Sequence, residues 1–348
     1  MVSVRDGPGI RSECPGHIAG GFMHHAVFRS VVTLCVIALA VAGLSAQRFK
    51  PAEGMPDTAS AYARLVEPEL GAVPAIDCGE GVRVPVHVDG VEVFEDQERF
   101  ACDNSDFRGG CNVGSRVGRV EGQDRTGAPI PDVVWVYFCR SSGIERFEQG
   151  IVSVQMIGHN RQTGATAFFE APDADPSRPN PQPNLLRLGE NGILAGELPG
   201  PDDPGFDAAF MPPPIQCSHC HQADPFIHDP WIDGARLPDD PSQPVIPELG
   251  GPDSPYFIVG GEDWDRRTVH IEGNGCTACH RAPDPTRYLN PDAYHVNDFM
   301  PPHAPGTLAA DYAAIRACYD DGPDATPGCD WVEPPAGGAP TFGEILVR

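Results

Sequence analysis

Lysine is nearly missing from this 348-residue chain: of 24 basic residues only Lys50 is one, and the rest are Arg. A ring of lysines for docking acidic partners is therefore excluded. Positive charge is scarce altogether, because 49 acidic residues leave a formal net charge of −25. Residues 1–46 carry a net +1, so the acidity lies in the body of the chain. Such a surface repels nucleic acid and anionic lipid and favours partners with basic surfaces. Long apolar runs are also lacking. The longest, Val31 to Leu44, has 14 residues, fewer than the roughly 20 that span a bilayer as a helix. What the chain has in plenty is Gly and Pro, 39 of each, which predicts much loop and few long helices.

The first residues read as an export signal. From Met23 the chain runs Met-His-His-Ala-Val-Phe-Arg, then the apolar stretch, then Leu44-Ser45-Ala46 before Gln47. Residues 1–22 are unlike a signal, so Met23 is a candidate start, and Cys35 lies inside the apolar stretch, unlike a lipidation site. The expected location is periplasmic or extracellular, with no transmembrane anchor in the mature chain. Export changes how the 12 cysteines are read, since unassigned thiols outside the cytoplasm tend to pair. Cys14 and Cys35 leave with the leader, and four more belong to two Cys-x-x-Cys-His motifs. Cys78, Cys102, Cys111, Cys139, Cys318 and Cys329 remain, an even set. Cys318 is expected to pair with Cys329. The other four are expected to pair among themselves, with Cys102 to Cys111 favoured by proximity.

Residues 47–75 form a Pro/Ala-rich linker with one helical stretch, Thr58 to Leu65. Residues 76–171 carry strand signals: an alternating run from Val82 to Val88, an Asp89-Gly90 turn, and Val91 to Phe94. Val133 to Phe138 and Ile151 to Ile157 follow, and Asn160 to Gly164 makes a hairpin loop into Ala165 to Ala171. Residues 172–205 read as a Pro/Asp-rich linker. Residues 206–348 hold both Cys-x-x-Cys-His motifs and a helix candidate, Leu308 to Cys318. The fold class expected is α+β: a small disulfide-stapled β-rich domain, then a loop-rich, mainly α domain.

The motifs are Cys217-Ser218-His219-Cys220-His221 and Cys276-Thr277-Ala278-Cys279-His280. One helical turn sets the two thiols where they can form thioethers to the two vinyl groups of one porphyrin, and the following His faces the iron. Chance placement yields one such triplet in roughly 70 chains of this composition, and two in about ten thousand. A zinc site or a redox dithiol would use the cysteine pairs but needs neither His. Two covalently bound c-type haems are thus expected, with Cys217, Cys220, Cys276 and Cys279 as attachment points and His221 and His280 as proximal ligands. For the sixth positions the candidates are Met300, in Phe299-Met300-Pro301-Pro302, and His228, in a loop after Pro225. His159, His270 and His295 stay open. Met211 reads as a packing residue.

On these motifs, residues 206–335 resemble the haem domains of periplasmic di-haem and multi-haem c-type cytochromes. Met300-Pro301-Pro302, a helix, then Cys318 and Cys329 near Trp331 are similar to uncharacterised haem-binding domains of Gram-negative bacteria. The chain departs from bacterial di-haem cytochrome c peroxidases, whose haem domains stand further apart than the 59 residues from Cys217 to Cys276. The resemblance implies one-electron transfer with redox protein partners. The alternatives are a peroxidase-like enzyme with one open haem, or a partner-binding module wired by haems. An electron carrier is favoured over a catalyst, because the β region shows no catalytic polar cluster.

Overall fold

The structure is a computed structural model that describes residues 55–106, 109–141, 152–171, 187–188, 194–211, 217, 221, 224–249, 253–261, 266–278, 281, 306–335 and 337. The leader, Cys220, Cys279, His280, His295 and Met300 lie outside the described residues.

Helix α1, Ala59–Leu70, begins where Thr58 Oγ1 accepts the Ala61 N–H at 3.2 Å. That supplies one of the partners a helix start lacks. Short strands follow: β1 (Ile76–Asp77), β2 (Val82–Arg83), β3 (Val86–Val88) and β4 (Val91–Val93). Pro85 divides the run expected from Val82 to Val88, and β3 and β4 close a hairpin over Asp89-Gly90. Four longer strands form the frame: β5 (Arg116–Gln123), β6 (Pro129–Ser141), β7 (Val152–Asn160) and β8 (Ala165–Ala171). At the β5–β6 turn Asp124 Oδ1 accepts from the Thr126 and Ala128 N–H groups. Asn160 Oδ1 does the same for Gln162 and Thr163 between β7 and β8.

Three further two-residue strands come next, β9 (Arg187–Leu188), β10 (Leu194–Ala195) and β11 (Glu197–Leu198). They precede α2 (Phe206–Ala209), β12 (Phe257–Ile258), β13 (Thr268–Ile271), α3 (Ala309–Asp321) and β14 (Cys329–Val332). One six-stranded sheet runs in the order β12-β8-β7-β6-β5-β2, antiparallel except for the β12–β8 edge. Both its faces are covered. On one, α1 and α2 bury Tyr62, Val66, Trp135, Phe169, Phe206 and Phe210, with the Phe206 and Phe210 rings 4.7 Å apart. On the other lie Val134, Val136, Phe226, Trp231, Val245 and Ile246, together with the patch of Phe168, Tyr256 and Ile258. Double burial explains why Val133 to Phe138 is continuously apolar instead of alternating.

Three disulfides staple the molecule: Cys78–Cys139, Cys102–Cys111 and Cys318–Cys329, the pairings expected from the sequence. They are compatible with an oxidising, exported location. No helix among the described residues is long and apolar enough to cross a membrane.

The mainly α haem domain expected for residues 206–348 is not found, and the resemblance to di-haem c-type cytochromes falls with it. Those proteins are helical. Here the described residues are β-rich, with three helices, of which α2 has only 4 residues and α3 only 13. No group of three or more His, Cys, Asp or Glu able to hold a metal ion occurs among the described residues. The reason is written in the chain: Pro225, Pro230, Pro238, Pro241, Pro244 and Pro247 recur too often for an α-helix to run between them. The backbone instead makes turns, a 3₁₀ turn at Ile232–Gly234, and strand pairings with β8 and between β13 and β14.

Candidate functional site

Gly164 sets the position of the first motif's neighbours. It ends the β7–β8 loop at φ 84°, and a Cβ there would lie 2.4 Å from the backbone of Pro255 and Tyr256. Its carbonyl accepts the Phe257 N–H at 2.8 Å, so the chain at 255–257 is laid against the start of β8. This places Tyr256, which is fully buried and donates its O–H to the His221 carbonyl.

At the first motif the His221 N–H donates to the Cys217 carbonyl at 2.9 Å. Cys217 packs against the patch of Phe168, Tyr256 and Ile258, and takes no part in the three disulfides. The His221 ring lies 5.2 Å from that of Phe168 on β8. Burial lowers its pKa to about 4, opposed in part by the Asp224 and Pro225 carbonyls. Its Nδ1 is shut off from water with no hydrogen-bond partner.

On β7, His159 lies on the same sheet face as Phe168, whose register partner is Ile157. It is 0% exposed, and its ring meets that of Phe226 edge-on at 6.1 Å. Burial, then the charges of Arg161 and Arg281, lower its pKa to about 3, so the ring is neutral. Its Nδ1 is 2.9 Å from Thr166 Oγ1, and Nε2 is buried without a partner. A buried polar atom left unpartnered in this way costs about 1–3 kcal/mol.

The second motif rests on separate supports. Asn274 Oδ1 accepts the Cys276 N–H at 2.9 Å, and Asp311 Oδ1 on α3 accepts the Gly275 N–H at 3.0 Å. Cys276 is buried with Val269, Leu308, Ile315 and the Cys318–Cys329 bridge. Arg281, directly after His280, then reaches the first motif. Its backbone N–H and guanidinium donate to the two oxygens of Asp224, at 3.1 and 2.8 Å, three residues after His221. Its guanidinium also lies 5.8 Å from the Tyr256 ring centroid.

No family model, no curated protein and no solved structure matches the chain. The site is therefore read from its own chemistry.

Of the expected ligands, His221 lies beside the Phe168 ring, and His228 has a different partner. His228 Nδ1 pairs with Asp233 Oδ1 at 2.9 Å, and its side chain is 33% exposed. Burial works to lower the His228 pKa, but Asp233, with the charges of Glu248 and Asp229, outweighs it and the net shift is upward. His270 sits on β13 opposite Asp330, and Met211 donates its N–H to the Glu170 carbonyl beside β8. Tyr256, Asp224 and Arg281 were not legible as site residues. The last two are separated by 57 positions, and nothing in the local sequence of either announces the other.

Proposed function

We propose that this chain is an exported one-electron-transfer protein carrying two covalently attached c-type haems, at Cys217, Cys220 and His221 and at Cys276, Cys279 and His280. Haem attachment belongs to the motif and its local turn and not to a fold family, so a β-rich scaffold is no obstacle. What is described of the first motif supports the reading: the His221 N–H bonds to the Cys217 carbonyl, Cys217 packs against the patch of Phe168, Tyr256 and Ile258, and the His221 ring lies beside that of Phe168.

The observation that carries the reading is the Arg281–Asp224 pair, 4% and 19% exposed. It fastens the end of the second motif to the first, so both redox groups would be held close together. When bound, the haems supply reversible one-electron chemistry at iron. The chain's own part is to orient the proximal imidazoles, to exclude water with Phe168 and Tyr256, and to hold the two sites together.

Export in this reading rests on the leader from Met23 and agrees with the three disulfides. The partners expected are redox proteins with basic surfaces, because the chain is strongly acidic. The test is expression of the mature chain with cytochrome-maturation machinery. The product should exceed its polypeptide mass by two haems and stay red after denaturation. A colourless or zinc-containing product overturns the proposal.

A further inference from the structure

The six exposed large apolar side chains among the described residues are unevenly spread. Three of them, Val91, Phe94 and Phe100, fall within ten residues of chain and are 66%, 56% and 49% exposed. Exposed apolar side chains grouped in this way mark contact surfaces. The backbone beneath them is held firmly. The carboxylate of Asp103 accepts both the Asp89 and the Gly90 N–H groups at the tip of the β3–β4 hairpin. The Cys102–Cys111 bridge closes the loop that follows. Phe100 leads into that loop at φ 63°, a strained conformation for a bulky residue, with its N–H bound to the Gly109 carbonyl at 2.8 Å. Its ring lies against Gly109, where a Cβ would collide with it. Strain of this kind persists where the surroundings over-determine it, and it collects at binding surfaces.

One edge of the hairpin is open. Asp89 and Gly90 form a two-residue turn with both φ positive, 52° and 75°, so Val88 and Val91 exchange the closing hydrogen bonds. Alternation then turns the N–H and C=O of Glu92 away from β3. On the β3 side the matching groups of His87 are taken, by Asn104 Oδ1 and by the Asp103 N–H. On the β4 side, among the described residues, no other segment bonds to the Glu92 main chain. Charge here is one-sided. From Arg83 to Asp103 six acids stand against two Arg, and Arg83 is already paired with Glu92. A second copy of the chain would set one acidic hairpin against another, whereas a basic segment would find complementary charge.

We propose that the outer edge of β4 docks an extended, basic segment of a partner protein, which adds as an antiparallel strand at Glu92 and packs apolar side chains on Val91 and Phe94. Glu92 exchanges main-chain hydrogen bonds with the partner residue opposite it, and that residue is an Arg or Lys lying beside the Glu92 carboxylate. This inference stands apart from the haem reading and uses none of its residues.

The test titrates the full chain with the labelled peptide Lys-Leu-Val-Arg-Val-Lys and follows fluorescence anisotropy. The peptide should bind saturably, and less tightly as salt rises. A copy N-methylated at the Arg amide keeps every charge but cannot donate to the Glu92 carbonyl, and should bind at least about tenfold more weakly. Val91→Ser and Phe94→Ser should lower the affinity by a similar factor while keeping the three disulfides and the unfolding midpoint. Leu65→Ser, at an exposed apolar residue elsewhere, should change nothing. Glu92→Gln keeps the main chain and should reduce both the affinity and its salt dependence.

Equal binding of the methylated and unmethylated peptides overturns strand addition, since charge alone would then account for it. Absence of saturable binding up to about 1 mM peptide overturns the proposal as well. If the chain alone forms a dimer in sedimentation equilibrium that Phe94→Ser dissociates, a second copy covers the edge and the proposal falls.

Discussion

At the scale of single residues, Asp229 shows how burial sets a pH dependence. It is 6% exposed and accepts the Trp231 and Ile232 N–H groups at 2.9 and 2.8 Å. Desolvation is the largest cause moving its pKa, from 3.8 up to about 6. A carboxyl raised on folding holds its proton better in the folded state, so its contribution to stability falls as pH rises from about 4 to about 6. Above that range the buried charge is a standing cost. Asp229→Asn keeps an acceptor for both N–H groups and removes the charge. We expect roughly 1–3 kcal/mol of added stability at pH 7, shrinking towards zero below pH 4, measured by urea unfolding at both values. An equal effect at the two pH values would refute the assignment. His228 runs the other way: its partnership with Asp233 supports folding below the ordinary His value and fades as pH rises through its raised one.

At the scale of elements, much was legible. The helical stretch from Thr58, the β7–β8 hairpin, α3 and the near cysteine pairs follow from residue pattern, turn residues and spacing, and Cys78–Cys139 is the pair then left over. The mainly α domain was misjudged because attachment motifs sit on helical turns, and one turn was extended to a whole domain. Proline spacing after His221 carried the better signal. The bridges should differ in weight. Cys78–Cys139, with a sequence separation of 61, ties the β1 region to the central strand β6. Cys318–Cys329, with a separation of 11, closes only the end of α3 on β14. Loop-closure entropy puts the first at about 4 kcal/mol and the second at about 3 kcal/mol. Paired Cys→Ala replacements compared by chemical unfolding should show the larger loss at Cys78 and Cys139. Loss of the second bridge should also loosen the seat of Cys276, which packs against it.

At the scale of the whole molecule, a net charge of −25 acts over the entire surface. Reduction of the haem-loaded chain by a cationic donor should be fast at low ionic strength and slow progressively as salt rises, because the Debye length shrinks from about 30 Å at 0.01 M to about 8 Å at 0.15 M. An anionic donor should show the opposite trend in stopped-flow reduction. A rate indifferent to salt for both donors would show that charge does not select the partner.

The sequence by itself determined what is local: the two Cys-x-x-Cys-His motifs, the near cysteine pairs Cys102–Cys111 and Cys318–Cys329, the hairpin turns and the acidic balance. Each depends on residues adjacent in the chain or on composition. Only the tertiary structure decided what lies beside the first motif. Strand register brings His159 and Phe168 to one sheet face, Gly164 lets Tyr256 approach, and Arg281 finds Asp224 across 57 positions. These contacts depend on which strand pairs with which and on what covers each face. That is settled by burying both faces of the sheet together, which no stretch of chain can express alone.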